Sequence, residues 1–172
     1  MGVMADFDQF VAAHVDDLLR TAYLIVWDEG DAEDLVQECL FKIARRWPRV
    51  RRMDQPRAYA RKILVNLALD GARRRAQRRS ELEPERTASL IAADPLPAIE
   101  ARAELLQALG RLQERQRVVL VLRYFNDLTE AQVAELLGCS PGTVKSSASR
   151  GLARLREALQ PVPLHKGAPQ HD

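Results

Sequence analysis

The sequence predicts an all-α fold: two small helical domains joined by a flexible linker, the second of them a helix-turn-helix. Three observations lead there. Leu, Ala, Arg and Glu dominate while aromatic residues make up only 5%. No window carries the alternating Val/Ile/Thr pattern that a half-buried strand needs. Apolar residues instead recur at three- and four-residue spacing along most of the chain. With 172 residues and 47% of them hydrophobic, the chain is long enough to bury one mid-sized core or two small ones.

The first helical pattern runs from about Asp6 to Trp27, with Phe7, Phe10, Val11, His14, Leu18, Ala22 and Ile25 on one stripe, and Gly30 is expected to end it. A second helix opens at Asp31, whose carboxylate can cap the following amides, and continues through Leu35, Val36, Cys39, Leu40 and Ile43 until Trp47-Pro48 stops it. Residues 48–55 are Arg-rich and aperiodic. Pro56 suits the first position of a third helix that reaches past Arg79 through Tyr59, Ile63, Leu64, Leu67 and Ala68. From Ser80 to Pro97 the period disappears and Pro84, Pro95 and Pro97 appear among Glu, Ser and Ala, as in a flexible linker. The expected division is therefore residues 1–79, a linker at 80–97, a second domain at 98–160 and a disordered tail at 161–172. In the second domain Ile99, Leu105, Leu106, Leu109 and Leu112 share a face, and the run Val118 to Leu122 reads as fully buried.

The formal net charge of +2 hides a sharp division. Residues 1–44 carry ten acidic side chains against Arg20 and Lys42, a balance of −8, whereas residues 45–79 carry thirteen basic ones against Asp54 and Asp70, a balance of +11. A charge run alone is often a solvated face, but here one part of the first domain repels phosphate and the next attracts it. The apolar run at Thr21 to Trp27 is far short of the ~20 residues that span a bilayer, and Asp6 and Asp8 stand where a signal peptide would be basic. A cytoplasmic protein with no membrane partner is expected. Cys39 and Cys139 show no metal-ligand spacing, and His14, His165 and His171 are scattered. These features predict no metal, no cofactor, no small-molecule substrate and no enzyme active site.

Residues 128–145 have the spacing of a helix-turn-helix. Thr129 can cap a short helix, Ala134 is small where a second helix packs close, Gly138 permits a left-handed turn residue, and Val144 can insert between the helices. Ser140 followed by Pro141 supplies a cap and a pre-set first residue for the second helix. On that helix Thr143, Ser146, Ser147 and Arg150 are expected to share an exposed surface with Lys145 at its edge, suited to phosphate and base-edge contacts. The candidate duplex-binding set is Ser140, Thr143, Val144, Lys145, Ser146, Ser147 and Arg150.

Three motifs in order give the chain a family resemblance: Asp31-Ala32-Glu33-Asp34-Leu35-Val36-Gln37-Glu38, then Asn66 to Asp70 on an Arg-studded helix, then Gly142-Thr143-Val144-Lys145-Ser146 leading into Ser149 to Leu155. Over about residues 6–160 it resembles an extracytoplasmic-function sigma factor of the sigma-70 family, in particular the short actinobacterial members of SigE type with two domains. The resemblance implies that the acidic second helix docks on core RNA polymerase through Asp31, Asp34, Leu35, Gln37, Glu38 and Phe41. It implies that the loop Trp47 to Pro56 and the helix after it open the minus-ten element, with a flipped base and a single strand met by Arg57, Arg61, Lys62, Asn66, Asp70 and Arg73. It also implies that the helix-turn-helix reads the minus-thirty-five element. Relatives often carry a longer side chain at the position of Ser147, which implies fewer or water-mediated base contacts here.

The partners implied are core RNA polymerase, promoter DNA and an anti-sigma factor, with polymerase supplying catalysis. Left open by the residues themselves are a solvated acidic helix with Glu38 and Lys42 paired at i,i+4, and Asn66 as a surface residue or local cap. The rival function is a helix-turn-helix repressor or activator acting without polymerase, which would bind duplex DNA tightly by itself.

Overall fold

The amphipathic stripe of the first 26 residues builds the helix that everything else packs on. In the computed structural model, which describes residues 3–79 and 97–159 and the side chains of residues 5–71 and 103–159, this helix is α1 (Val3–Val26). It is followed by α2 (Glu29–Ala44), the single turn α3 (Trp47–Val50) and α4 (Pro56–Arg79). The second domain comprises α5 (Pro97–Gly110), α6 (Glu114–Leu120) running into a π turn at Val121–Phe125, α7 (Glu130–Leu137) and α8 (Pro141–Ala158). The described residues contain no strand, and among them no helix is long and apolar enough to cross a membrane. The expected linker up to residue 96 and the tail from residue 160 lie outside the described residues.

Three boundaries differ from expectation for identifiable reasons. Gly30 does not end α1 but lies inside α2, because Trp27 takes the left-handed backbone (φ 60°) that closes the first helix. Asp28, not Asp31, then caps the second: its carboxylate accepts from the Asp31 amide at 2.8 Å. Trp47-Pro48 does end the preceding helix, but Pro at the second position of a turn fits helical backbone, so Trp47–Val50 winds once more before the loop to Pro56.

Leu18, Ala22 and Ile25 of α1, Val36, Cys39 and Ile43 of α2, and Ala60, Leu64 and Ala68 of α4 meet in the first core, each nearly or wholly buried. Fully burying a side chain such as Ile25 or Leu64 contributes roughly 1.5–3 kcal/mol. Trp47 seals the end of this core, its ring packed edgewise on Phe7 at 5.4 Å and tilted against Phe10 at 5.1 Å. The second core joins α6 to α8 and α7 to α8 through Val118, Leu122, Val133, Val144, Ala148 and Leu155.

The two cores are continuous. α6 and its π turn also pack on α1, so the run Val118 to Leu122 is enclosed between its own domain and the first. At this seam the Arg117 guanidinium, only 3% exposed, donates through Nε to the Ile25 carbonyl at 2.8 Å and through one amino group to the carbonyls of Gly110 and Leu112.

The first core contains a thiol whose chemistry the packing suppresses. Cys39 is wholly buried, its Sγ within 3.4 Å of the Ala60 carbonyl, and burial pushes its pKa up to about 12. Cys139 is half-buried in the turn before α8. Maleimide at neutral pH is therefore expected to modify one thiol per folded chain, at Cys139, and a second only in denaturant; peptide mass mapping of both states checks this.

Candidate nucleic-acid interface

α2 turns one side to the core and the other to solvent. Asp34, Gln37, Glu38 and Phe41, at i, i+3, i+4 and i+7, form an exposed row, with Leu35 half-buried at its edge and Asp31 one turn earlier, also partly covered. Phe41 is 63% exposed, more than any other large apolar side chain described. Glu38 pairs with Lys42 at 3.0 Å on the surface, an i,i+4 contact worth only ~0.3–0.5 kcal/mol. The face is thus acidic, apolar at its C-terminal end, and turned outward without a core role.

The basic region divides differently from the sequence reading. Lys62, Asn66 and Asp70, spaced by four, lie exposed along one face of α4. Arg57 turns toward α1 and pairs with Asp17 at 3.0 Å. Arg61 is a correction: it was expected on an open basic face and is instead 8% exposed, where loss of solvent lowers its pKa first, the nearby Arg57 adds to that, and Asp17 opposes it. The four-residue spacing that carries Lys62 outward carries Arg61 to the α1 side. Arg73 lies on α4, but its side chain falls outside the described residues.

Ahead of α4 the loop is braced by the Arg51–Asp6 ion pair at 2.8 Å and by buried Trp47 and Val50. Between this loop and α1 opens a cleft of about 460 Å³, lined by Phe10, His14, Asp54, Gln55, Pro56, Arg57, Ala58 and Arg61, with Asn126 of the second domain on its wall. Aromatic, basic and amide groups around a cavity of this size suit a planar, polar-edged group such as an unstacked base.

The helix-turn-helix forms as its spacing predicts. Thr129 and Gln132 make a reciprocal capping box on α7. Gly138 takes the left-handed turn position (φ 63°), and the Ser140 hydroxyl accepts from the Thr143 amide at 3.1 Å with Pro141 following. Lys145, Ser146 and Arg150 are exposed and Thr143 is half-buried, near the N-terminal end of α8. Two members of the expected set are corrected. Ser147 is only 3% exposed, because i+3 from Val144 returns the chain to the packed side, and Val144 itself is fully buried between α7 and α8. They seat the helix and do not reach a base edge from it. The Ser147 position therefore does not supply the shared exposed surface expected of it.

Sequence reasoning missed the seam residues Thr21, Trp27, Gly110, Arg117 and Asn126. The available signal was the unbroken apolar run Val118 to Leu122, since a helix apolar all round must be covered on more than one side.

Comparison with known proteins bears on both halves. Residues 10–79 match the family described as sigma-70 region 2, and residues 102–155 match sigma-70 region 4. The RNA polymerase sigma-E factor of Streptomyces coelicolor is 35% identical over 159 residues, covering 92% of this chain and 89% of its own. The ECF RNA polymerase sigma factor SigM of Mycobacterium tuberculosis is 31% identical, covering 89% and 76%. This chain belongs to the extracytoplasmic-function sigma factors. Among solved structures it is similar to the sigma factor RpoE in complex with the anti-sigma factor NepR from Bartonella quintana, with 27% identity, a TM-score of 0.74, and coverage of 90% of this chain and 96% of that one. As a sigma factor it binds RNA polymerase and directs promoter recognition in transcription initiation.

The divided character of α8 has a direct check. Ser147→Arg in this sigma factor must force a long charged side chain into the buried side of α8 and is expected to cost about 1–3 kcal/mol in urea unfolding. Ser146→Arg, on the exposed side, is expected to leave stability within ~0.5 kcal/mol.

Proposed function

We propose that α2 is the polymerase-docking element of this sigma factor, through Asp34, Gln37, Glu38 and Phe41, with Asp31 and Leu35 at its margin. The observation that carries this reading is the exposed Phe41 within an acidic row on a helix whose other side is committed to the core. An exposed aromatic ringed by charge favours a protein partner over solvent, and carboxylates there disfavour DNA.

Promoter reading falls to the remaining faces. Lys62, Asn66 and Asp70, continued by Arg73, form the track for the non-template strand of the minus-ten element, and Arg57 and Arg61 act from within the cleft beside them. Lys145 and Arg150 contact phosphates of the minus-thirty-five element, while Ser140, Thr143 and Ser146 lie nearest its bases. Residues 1–79 and 98–160 serve as the two functional domains, joined by the linker at 80–97 and followed by the tail at 161–172. The protein works in the cytoplasm, carries out no chemistry of its own, and leaves catalysis to polymerase. An anti-sigma factor is its inhibitor, as NepR is bound to RpoE in the similar structure.

The test is in vitro transcription with core polymerase from a related bacterium on a pool of genomic promoters. Specific transcripts are expected only when this protein is added. Reversing Asp34 and Glu38 together to Lys is expected to abolish them at a cost in stability of no more than about 1 kcal/mol, because both side chains are exposed and only the surface Glu38–Lys42 pair turns from attractive to repulsive. Absence of transcripts, together with tight sequence-specific duplex binding by the chain alone, would overturn the reading in favour of a repressor or activator.

A further inference from the structure

The outward row of α2 does not stop at Phe41. Four residues on, Arg45 keeps right-handed helical backbone (φ −60°, ψ −23°), is exposed, and holds its guanidinium 5.9 Å from the centre of the Phe41 ring. With ~3.6 residues per turn, Asp34, Gln37, Glu38, Phe41 and Arg45 fall within about 100° of one another around the helix. From its N- to its C-terminal end the row is therefore acidic, then aromatic, then basic. Docking on polymerase uses its acidic and aromatic parts and leaves Arg45 without a role.

A row in that order is complementary to itself when turned end for end. Two copies of α2 related by a two-fold axis through Phe41 run antiparallel, so positions equally far from Phe41 on either side face each other. At a rise of about 1.5 Å per residue, Arg45 stands ~6 Å from the axis, level with Gln37 of the second copy and about 1.5 Å from the level of its Glu38. Asp34 of the second copy, ~10 Å from the axis, is within reach of the same guanidinium. Symmetry makes these contacts twice, and the two Phe41 rings meet at the centre. A parallel pairing would set Glu38 on Glu38 and Arg45 on Arg45, so charge selects the antiparallel one. The wider domain agrees: residues 1–44 carry a balance of −8 and residues 45–79 one of +11, so the acidic part of one copy attracts the basic part of the other.

We propose that in the free chain the α2 face is covered by the α2 face of a second copy, in an antiparallel homodimer centred on Phe41 with Arg45 set against Glu38 and Asp34. The dimer hides the docking row until core polymerase displaces the second copy. This masking rests on the docking reading above; the dimer itself does not. The row from Asp34 to Arg45 is only about 17 Å long, so the contact falls well short of the ~800 Å² per partner of a stable complex. The dimer is therefore weak and concentration-dependent, and it yields to a partner that covers more surface.

Sedimentation equilibrium of the full-length chain under reducing conditions, from about 5 to about 500 µM, reads the association. The average mass is expected to climb from that of one chain toward that of two. Raising salt from about 0.05 to about 1 M, where screening shortens to ~3 Å, is expected to weaken the dimer roughly tenfold. Glu38→Arg and Arg45→Glu are each expected to weaken it by roughly tenfold or more, because each sets like charges across the axis. An equimolar mixture of the two variants is expected to regain wild-type association, since every arginine again meets a glutamate, and that recovery shows that both variants are folded. A chain monomeric throughout, a dimer indifferent to both reversals, or a mixture that does not recover would overturn the dimer. Core polymerase is expected to break the dimer into complexes that hold one chain each. Uptake of the intact dimer would overturn the masking and the docking reading together, whereas a monomer that binds polymerase through α2 would overturn the dimer alone.

Discussion

A helix that ends inside a protein leaves carbonyls that something must satisfy, and at the end of α1 that partner comes from 92 residues further along the chain. Arg117 fills the role with a guanidinium that also holds Gly110 and Leu112, so one buried cation fixes the end of the first domain's central helix, the α5–α6 corner and the position of the second domain together. Removing it would leave three carbonyls short of a donor, those of Ile25 and Leu112 buried and that of Gly110 partly so, a loss larger than that of an ordinary surface contact. α1 is therefore shared by two cores, and the faces that remain outside them are the faces left for partners.

Those faces are separated by charge as well as by position. The acidic row on α2 and the basic side of α4 belong to one small helical domain, yet the packing of α1, α2 and α4 turns them in different directions. A protein partner and a nucleic-acid partner can then be held at once without competing for the same surface. The helix-turn-helix adds a third face whose geometry is set by local chemistry: the capping box at Thr129, the left-handed Gly138 and the Ser140-Pro141 start.

Elements whose causes are local were legible in the sequence. Caps, prolines and the 3.6-residue period located α4, α7 and α8 almost to the residue, while the docking positions on α2 came from the family resemblance, with the acidic charge balance of residues 1–44 in agreement. Where Trp27 replaced glycine at a left-handed position, the first boundary shifted, because a tertiary contact with Gly110 decided a conformation that propensity would have refused. The same gap explains Arg61 and Ser147. A basic or polar residue at helical spacing announces a helix, but which side of that helix is covered depends on neighbours distant in sequence. The seam between domains lay beyond a reading that treated each domain by itself, although the run from Val118 to Leu122 already carried more apolar surface than one small domain could cover.

The most direct measurement is a cryo-electron microscopy structure of this chain bound to core RNA polymerase and a promoter open complex. The account predicts that polymerase covers Asp34, Glu38 and Phe41, and that the non-template strand passes Lys62 and Asn66 into the cleft beside Arg61. An α2 face left open to solvent, or a non-template strand that avoids Lys62 and Asn66, would contradict it.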